Sequence, residues 1–188
     1  NIMKVKEYIK ESIDVKNKIL SNNIIIDEIE KIADIIVSAY KNNKKVLIAG
    51  NGGSASDSNH IAAEFVSKFK MERKPLAALS LASNQSILTA IANDYDFSEI
   101  FSKQIEAQCA DGDIFIGIST SGKSKNIIKA FKKAKELNIV TIFLSGENAD
   151  FEADFNIKVP SCITSIIQEA HIMISHIICA LVEEKLFN

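Results

Sequence analysis

The chain has 188 residues, of which 47% are hydrophobic and 24% are charged, and this composition excludes a disordered or fibrous protein. Its 22 basic and 24 acidic residues give a formal net charge of -2, so there is no general attraction to nucleic acid or to an anionic membrane. Three widely spaced cysteines are typical of reduced thiols in a cytoplasm, not of a disulfide framework or a structural zinc site. We therefore expect one domain in the cytoplasm, without a nucleic-acid or membrane partner.

Two amphipathic helices are predicted at the start of the chain, over residues 5–20 and 24–41. Their apolar residues recur at helical spacing, and Asn22 and Asn23 interrupt the pattern between them. An apolar helix face needs something to cover, either the sheet or another subunit, and we favour a partial role for another subunit. This helical arm, about residues 3–42, precedes an α/β core of about residues 44–188.

Short apolar runs alternate with helical segments after residue 44. The predicted strands are 46–49, 77–81, 114–118, 140–144 and 155–159, and the predicted helices are 54–69, 85–91, 98–108, 124–137 and 163–186. Nearly continuous apolar strands that alternate with helices indicate a parallel sheet with both faces covered. The last strand alternates apolar and polar residues, which favours an edge position. The predicted fold is a single α/β domain, a three-layer doubly wound sandwich with a five-stranded parallel sheet.

The loop after the first predicted strand, residues 50–55, has the sequence GNGGSA. Ligands of such sheets bind beyond the carboxyl ends of the strands, and glycines let the backbone approach a ligand closely. The loop is too short for a dinucleotide fingerprint and lacks the lysine of a nucleotide-triphosphate loop, so we expect no nucleotide cofactor. The alternative is that the glycines only form a tight turn.

A second loop, Ile118-Ser119-Thr120-Ser121-Gly122-Lys123-Ser124, lies between a predicted strand and a predicted helix. Its hydroxyl groups, next to the free N–H groups at a helix start, suit an anionic ligand and phosphate above all. The alternative is an ordinary serine-rich loop in which Ser124 caps the helix.

Two helices carry polar residues that suggest chemistry. His60 and Glu64 are four residues apart, which places both side chains on one helix face, although a surface histidine with a carboxylate partner is an equally simple explanation. The last helix is apolar nearly all round, so Gln168, His171 and His176 need partners in the core, at an interface or in a site.

Four segments, GNGGSASDSNHIAAE, IANDYDFSEIF, ISTSGKS and IQEAHIMISH, together resemble the sugar isomerase (SIS) domain family, and within it the bacterial phosphoheptose isomerases. The resemblance runs from about residue 44 to the end. It implies a flavodoxin-like SIS fold, a homotetramer and a sugar 7-phosphate substrate. The implied reaction converts sedoheptulose 7-phosphate to D-glycero-D-manno-heptose 7-phosphate through a cis-enediol, the first step toward ADP-heptose or GDP-heptose precursors of lipopolysaccharide or capsule.

The resemblance also implies roles for residues of this chain. Glu64 and His176 match the family's proton-transfer pair, and one zinc ion per subunit would be held by His60, Glu64, Gln168 and His176. The matching substrate-binding positions are Asn51, Gly52, Gly53, Ser54, Glu64, Asn93, Asp94, Ser119, Thr120, Ser121, Ser124 and Gln168. Our hypothesis is that Glu64 moves the carbon-bound proton, that His176 opens the ring and protonates oxygen, and that the serine loop anchors the phosphate.

Several features leave alternatives open. A zinc-bound Glu64 would be a poorer base, and glutamine is an unusual zinc ligand. Ile166 stands where relatives often carry arginine, Lys68 stands where they often carry arginine or lysine, and the loop 145–150 lacks the usual glycines. A related branch of the same fold is a tetrameric adaptor of the bacterial replication initiator and keeps many of these motifs, so an adaptor is the alternative function, and a sugar-phosphate sensor without catalysis is a third.

Overall fold

The computed structural model describes residues 2–188. The five strands are β1 (Val46–Gly50), β2 (Ala78–Ser80), β3 (Ile114–Ser119), β4 (Val140–Gly146) and β5 (Phe155–Val159). They form one parallel sheet in the order β2-β1-β3-β4-β5, which is the flavodoxin-like order of doubly wound sheets. The predicted fold is confirmed, and β5 lies at an edge as expected.

Seven α-helices surround the sheet in the described part of the chain. They are α1 (Ile2–Leu20), α2 (Asn23–Lys41), α3 (Gly53–Val66), α4 (Gln85–Asp94), α5 (Ser102–Gln108), α6 (Lys125–Glu136) and α7 (Thr164–Phe187). The helix predicted over 98–108 is in fact a 3-10 turn, Phe97–Glu99, followed by α5. The Asp96 side chain accepts a hydrogen bond from the Ser98 amide, which fixes this separate turn.

The two faces of the sheet pack against different kinds of side chain. Aliphatic residues of α2, α3 and α7 cover one face, together with Val46, Ile116 and Leu144 of the strands. Helices α5 and α6 cover the other, where Phe131 of α6 contacts Phe115 and Phe143 of the sheet at ring-centroid distances of 5.1 Å. Both faces are therefore dry, and the ligand-accessible positions lie at the strand ends.

The two N-terminal helices differ in what they cover. Helix α2 buries a stripe that includes Ile29, Ile32 and Ile36 against α7 and the β5 side of the sheet. Helix α1 buries only Val15 and Ile19 and leaves most of its apolar residues exposed. The sheet thus accounts for the apolar face of α2 but not for that of α1.

Helix α7 is long and apolar enough to cross a membrane by length and composition alone. Half of its most apolar window is nevertheless buried within the fold, where it packs on α2, α3 and β4. His171 of this helix is fully buried and its Nε2 lies 3.1 Å from the carbonyl oxygen of Ser145. Burial lowers the pKa of His171 to about 4, so this ring is neutral near pH 7 and its role is in the core.

Candidate active site

The glycine loop (residues 50–55) and the serine loop (residues 118–124) leave neighbouring strands. In the β1–β3 pair, Gly50 lies opposite Ile118, so both loops begin at the same level of the sheet. The chain order of the strands reverses between β1 and β3, and in open α/β sheets this switch point is where the crevice for ligands forms. The structure therefore brings the two predicted ligand loops together.

A reciprocal amide pair joins the two loops. The Asn51 side chain donates to Asn126 Oδ1 at 2.9 Å, and the Asn126 side chain donates to Asn51 Oδ1 at 2.8 Å. Asn126 is only 2% exposed. It was missed by the sequence analysis, although it shares the buried face of α6 with Ala130, and a buried amide at such a position needs a polar partner.

The glycine loop also receives Gln168 from α7. Gly52 has a φ of +55°, a left-handed conformation that favours glycine. A Cβ placed on Gly53 would lie 2.5 Å from Gln168 Nε2, so only a glycine lets the amide come this close. Ser54, in the first turn of α3, is buried.

The serine loop does not use the Ser124 hydroxyl group to cap α6. Ser124 occupies the N-cap position of α6 but makes no side-chain capping hydrogen bond. Its Oγ instead lies 3.0 Å from Ser119 Oγ at the end of β3, while the exposed Ser121 accepts a hydrogen bond from the Lys123 amide at 3.2 Å. The simple capping explanation for Ser124 is therefore not supported.

A polar cavity of about 230 Å³ lies beside the serine loop. Thr120, Ser121 and Lys123 line one side of it. The start of α7 contributes Thr164, and the segment after β4 contributes Glu147. Hydroxyl groups and a lysine near a helix start provide hydrogen bonds and positive charge for an anion.

Glu64 and the two predicted histidines meet where α3 faces α7. His60 Nε2 lies 3.0 Å from Glu64 Oε1, and the rings of His60 and His176 are edge-on with centroids 5.1 Å apart. His176 Nε2 is buried and has no hydrogen-bond partner among the described residues. Phe69 packs on the other side of the His176 ring at 5.3 Å. The spacing of His60 and Glu64 in the sequence predicted this pair, the family resemblance predicted that His176 joins it, and the fold brings the three together.

This cluster has the donors of a metal site. The ligand atoms of His60, Glu64 and His176 all lie within 4.8 Å of one another, and two imidazoles with one carboxylate are a common zinc donor set. The unpartnered Nε2 of His176 fits the same use. Gln168, the fourth predicted ligand, approaches the glycine loop at Gly53, and its role as a metal ligand stays a prediction.

Asn93 and Asp94 are placed differently from the other predicted residues. They are exposed at the end of α4, which buries no residue in this chain. Their side chains hydrogen-bond to each other at 2.9 Å, and the structure gives neither a hydrogen bond to the glycine or serine loop. Their predicted contact with the sugar stays a prediction.

Comparison with known proteins agrees with this arrangement. Residues 7–146 match the SIS domain family. The five-stranded parallel sheet, with the glycine and serine loops at its switch point, places this chain in the same class of protein. The chain is 54% identical over 188 residues to the phosphoheptose isomerase of Clostridium acetobutylicum, covering 98% of this chain and 95% of that protein. It is 50% identical to phosphoheptose isomerase 2 of Campylobacter jejuni, covering 98% and 93%.

A solved structure of phosphoheptose isomerase from Neisseria gonorrhoeae superposes with a TM-score of 0.90 at 36% identity, over 97% of this chain and 98% of that chain. The chain belongs to the phosphoheptose isomerase family of SIS domain proteins.

The amide pair between the loops is testable by a double-mutant cycle. Asn51→Ala, Asn126→Ala and the double variant should show a coupling of about 1–2 kcal/mol in the free energy of unfolding, since each single change leaves the partner amide without its hydrogen bonds. Denaturant unfolding measures it. The control cycle combines Asn126→Ala with Glu136→Ala, at the exposed end of α6. The effects of these two changes on the free energy of unfolding should add. Additivity at Asn51 and Asn126 as well would show that the pair does not hold the loops together.

Proposed function

We propose that this protein is an aldose–ketose isomerase that converts sedoheptulose 7-phosphate to D-glycero-D-manno-heptose 7-phosphate. The observation that carries this is the meeting of Glu64, His60 and His176 between α3 and α7, with a hydroxyl-rich loop at the end of the neighbouring strand pair. Membership of the phosphoheptose isomerase family supports the same reaction. It favours the isomerase over the adaptor and the sensor considered from the sequence.

The chemistry requires a group that removes a carbon-bound proton and a group that manages protons on the oxygens. Glu64 is partly buried and its carboxylate is held beside His60, which suits transfer of a proton between C1 and C2 of a cis-enediol. His176, whose Nε2 has no hydrogen-bond partner among the described residues, would exchange a proton with a substrate oxygen, first in ring opening and then at the enediol, in the form of the protein in which this nitrogen holds no metal ion. Glu64 carries the proton while the enediol exists and returns it to the neighbouring carbon, so the complete reaction restores the starting protonation state of the protein.

The serine loop would hold the phosphate at the far end of the substrate. Ser119, Thr120, Ser121 and Ser124 offer hydroxyl groups around the start of α6. Binding energy from a remote phosphate positions the reacting end without taking part in the chemistry. The glycine loop, with Asn51 to Ser54 and Gln168, would contact the sugar between these two ends.

His60, Glu64 and His176 would hold a zinc ion, one per subunit. A zinc ion bound by these residues would polarise a carbonyl oxygen as a Lewis acid. The ligand atoms of these three residues lie close enough to share one ion. Gln168, the fourth predicted ligand, approaches Gly53, and there it would also contact the sugar. Because Glu64 is both a donor and the proposed base, a change at His60 is the cleaner way to probe metal binding.

Isothermal titration with Zn²⁺ tests the metal site without measuring activity. The metal-free protein should bind one ion per subunit, and His60→Asn should weaken binding by at least about tenfold because one of three donors is lost. Cys162→Ser, which alters an exposed thiol away from the cluster, is the control. Equal affinity for His60→Asn and the unchanged protein would remove zinc from this site.

Variants at the two ends of the crevice should separate chemistry from anchoring. Glu64→Gln should lower kcat for sedoheptulose 7-phosphate by roughly 10²–10⁴-fold, the usual contribution of a general base. The Ser121→Ala, Ser124→Ala double variant should mainly raise KM, because it removes binding that is made equally in the ground and transition states. A steady-state assay of heptose 7-phosphate formation measures both.

Glu106→Gln, on the exposed side of α5, is the matched control for Glu64→Gln. It should keep both kinetic constants. Near-normal turnover by folded Glu64→Gln would remove Glu64 from proton transfer, and loss of kcat at saturating substrate in the serine double variant would contradict the anchoring role.

We propose in addition that the protein is a homotetramer. Exposed apolar residues on α1, among them Tyr8, Ile9 and Ile13, and a groove along α7 with Ile172, Met173, Ile177 and Leu181 are apolar surfaces that subunit packing would bury. Sedimentation equilibrium should give about four times the subunit mass, and a monomer at micromolar concentration would contradict it. The cytoplasmic location and the link to lipopolysaccharide or capsule synthesis stay predictions.

A further inference from the structure

A buried ion pair lies directly behind the proposed proton-transfer groups. Arg73 Nε donates to Glu183 Oε2 at 2.9 Å, and the two side chains are 2% and 1% exposed. Arg73 belongs to the connection between α3 and β2, whereas Glu183 lies near the end of α7. The pair therefore ties the connection that follows α3 to the helix that carries His176.

Arg73 makes hydrogen bonds to the last turn of α3. Its guanidinium donates to the carbonyl oxygens of Glu64 at 2.8 Å, Phe65 at 2.8 Å and Ser67 at 3.1 Å. The last carbonyls of a helix lack partners within the helix, so these bonds fix the end of α3. Glu64 lies on this turn, and its backbone is one of the bonded groups. The capping also explains why α3 ends at Val66 and not at Phe69, where the sequence pattern placed its end.

Glu183 holds the segment that follows. Its carboxylate accepts hydrogen bonds from the amides of Phe69 at 3.0 Å, Lys70 at 2.7 Å and Met71 at 2.6 Å. Burial acts to raise the pKa of the Glu183 carboxyl, but these amides and Arg73 outweigh it, so the pKa lies below its usual value. The Phe69 ring held in this way packs against the His176 ring. One pair thus supports the backbone of Glu64 and the packing of His176.

We infer that Arg73 and Glu183 are positioning residues, which fix the placement of Glu64 on α3 relative to His176 on α7. Their kinetic role rests on the proposed isomerase function, whereas the geometric role does not. A buried ion pair is weak evidence for stability alone, because the desolvation of two charges offsets much of their attraction. The hydrogen bonds to backbone groups on both sides of the site are what give this pair its positioning role.

Conservative variants test this because they keep the charges but not the geometry. Arg73→Lys keeps a cation beside Glu183 but loses the planar fork that reaches three carbonyls, and Glu183→Asp withdraws the carboxylate from the amides. Each variant should lower kcat by about tenfold to a hundredfold, since small misplacements of reacting groups have effects of this size. KM should change less than about twofold, because the serine loop is on β3 and α6.

Val182→Ala is the matched control. Val182 is fully buried on α7 beside Glu183, so its truncation lowers stability by a cavity effect without removing any hydrogen bond of the pair. It should keep kcat near that of the unchanged protein. If Arg73→Lys and Glu183→Asp also keep kcat when compared at equal folded fraction, the pair is only structural and the inference is wrong.

A second measurement separates this inference from the proposed function. The chain has three histidines, so the imidazole NMR signals of the metal-free protein can be assigned by His→Gln substitution. In Arg73→Lys the His176 signals should shift, while those of His171, which bonds to Ser145, should not. If the unchanged protein fails to isomerise the sugar phosphate, the function is wrong and the NMR result alone decides. An unshifted His176 in that case overturns the positioning role.

Discussion

The pairing of β1 with β3 is the constraint on which the site depends. Residues Val46 to Gly50 hydrogen-bond in parallel register with Ile114 to Ile118, although about 65 residues of chain separate them. Because both strands are buried and point the same way, their carboxyl ends lie side by side. The glycine and serine loops can then form one crevice, and the amide pair of Asn51 and Asn126 closes it across the sheet edge.

The second requirement is that α3 and α7 keep a fixed separation, since each carries part of the His60, Glu64 and His176 cluster. Apolar packing brings these helices together on one face of the sheet, but packing alone leaves room for small shifts. Directional hydrogen bonds from Arg73 and Glu183 restrict the end of α3. Apolar packing thus holds α3 and α7 together, and the hydrogen bonds of Arg73 and Glu183 restrict the distance between the two helices. Such restriction suits chemistry that is sensitive to small displacements.

Elements that follow from a local residue pattern agree with their prediction from the sequence, whereas those that depend on distant groups differ from it. All five strands, the edge position of β5 and the His60–Glu64 face followed from periodicity. The predicted end of α3 was too late because Arg73 caps its last turn, and a capping side chain nine residues away leaves no periodic signal. Asn93 and Asp94 matched a family motif, and α4 leaves their side chains exposed. A motif gives residue types and order but not which subunit surface completes a site.

The sequence by itself determined the class of fold, the positions of the glycine and serine loops and the His60–Glu64 spacing, because hydrophobic period, glycine placement and helical spacing act over a few residues. That His176 joins His60 and Glu64 was implied by resemblance to a family, and the tertiary structure shows the contact. Only the tertiary structure decided that Asn126 holds Asn51 and that Arg73 reaches Glu183 across 110 positions of the chain. Such partners depend on which helix faces pack together. That choice is made by the burial of the whole core, and no single segment encodes it.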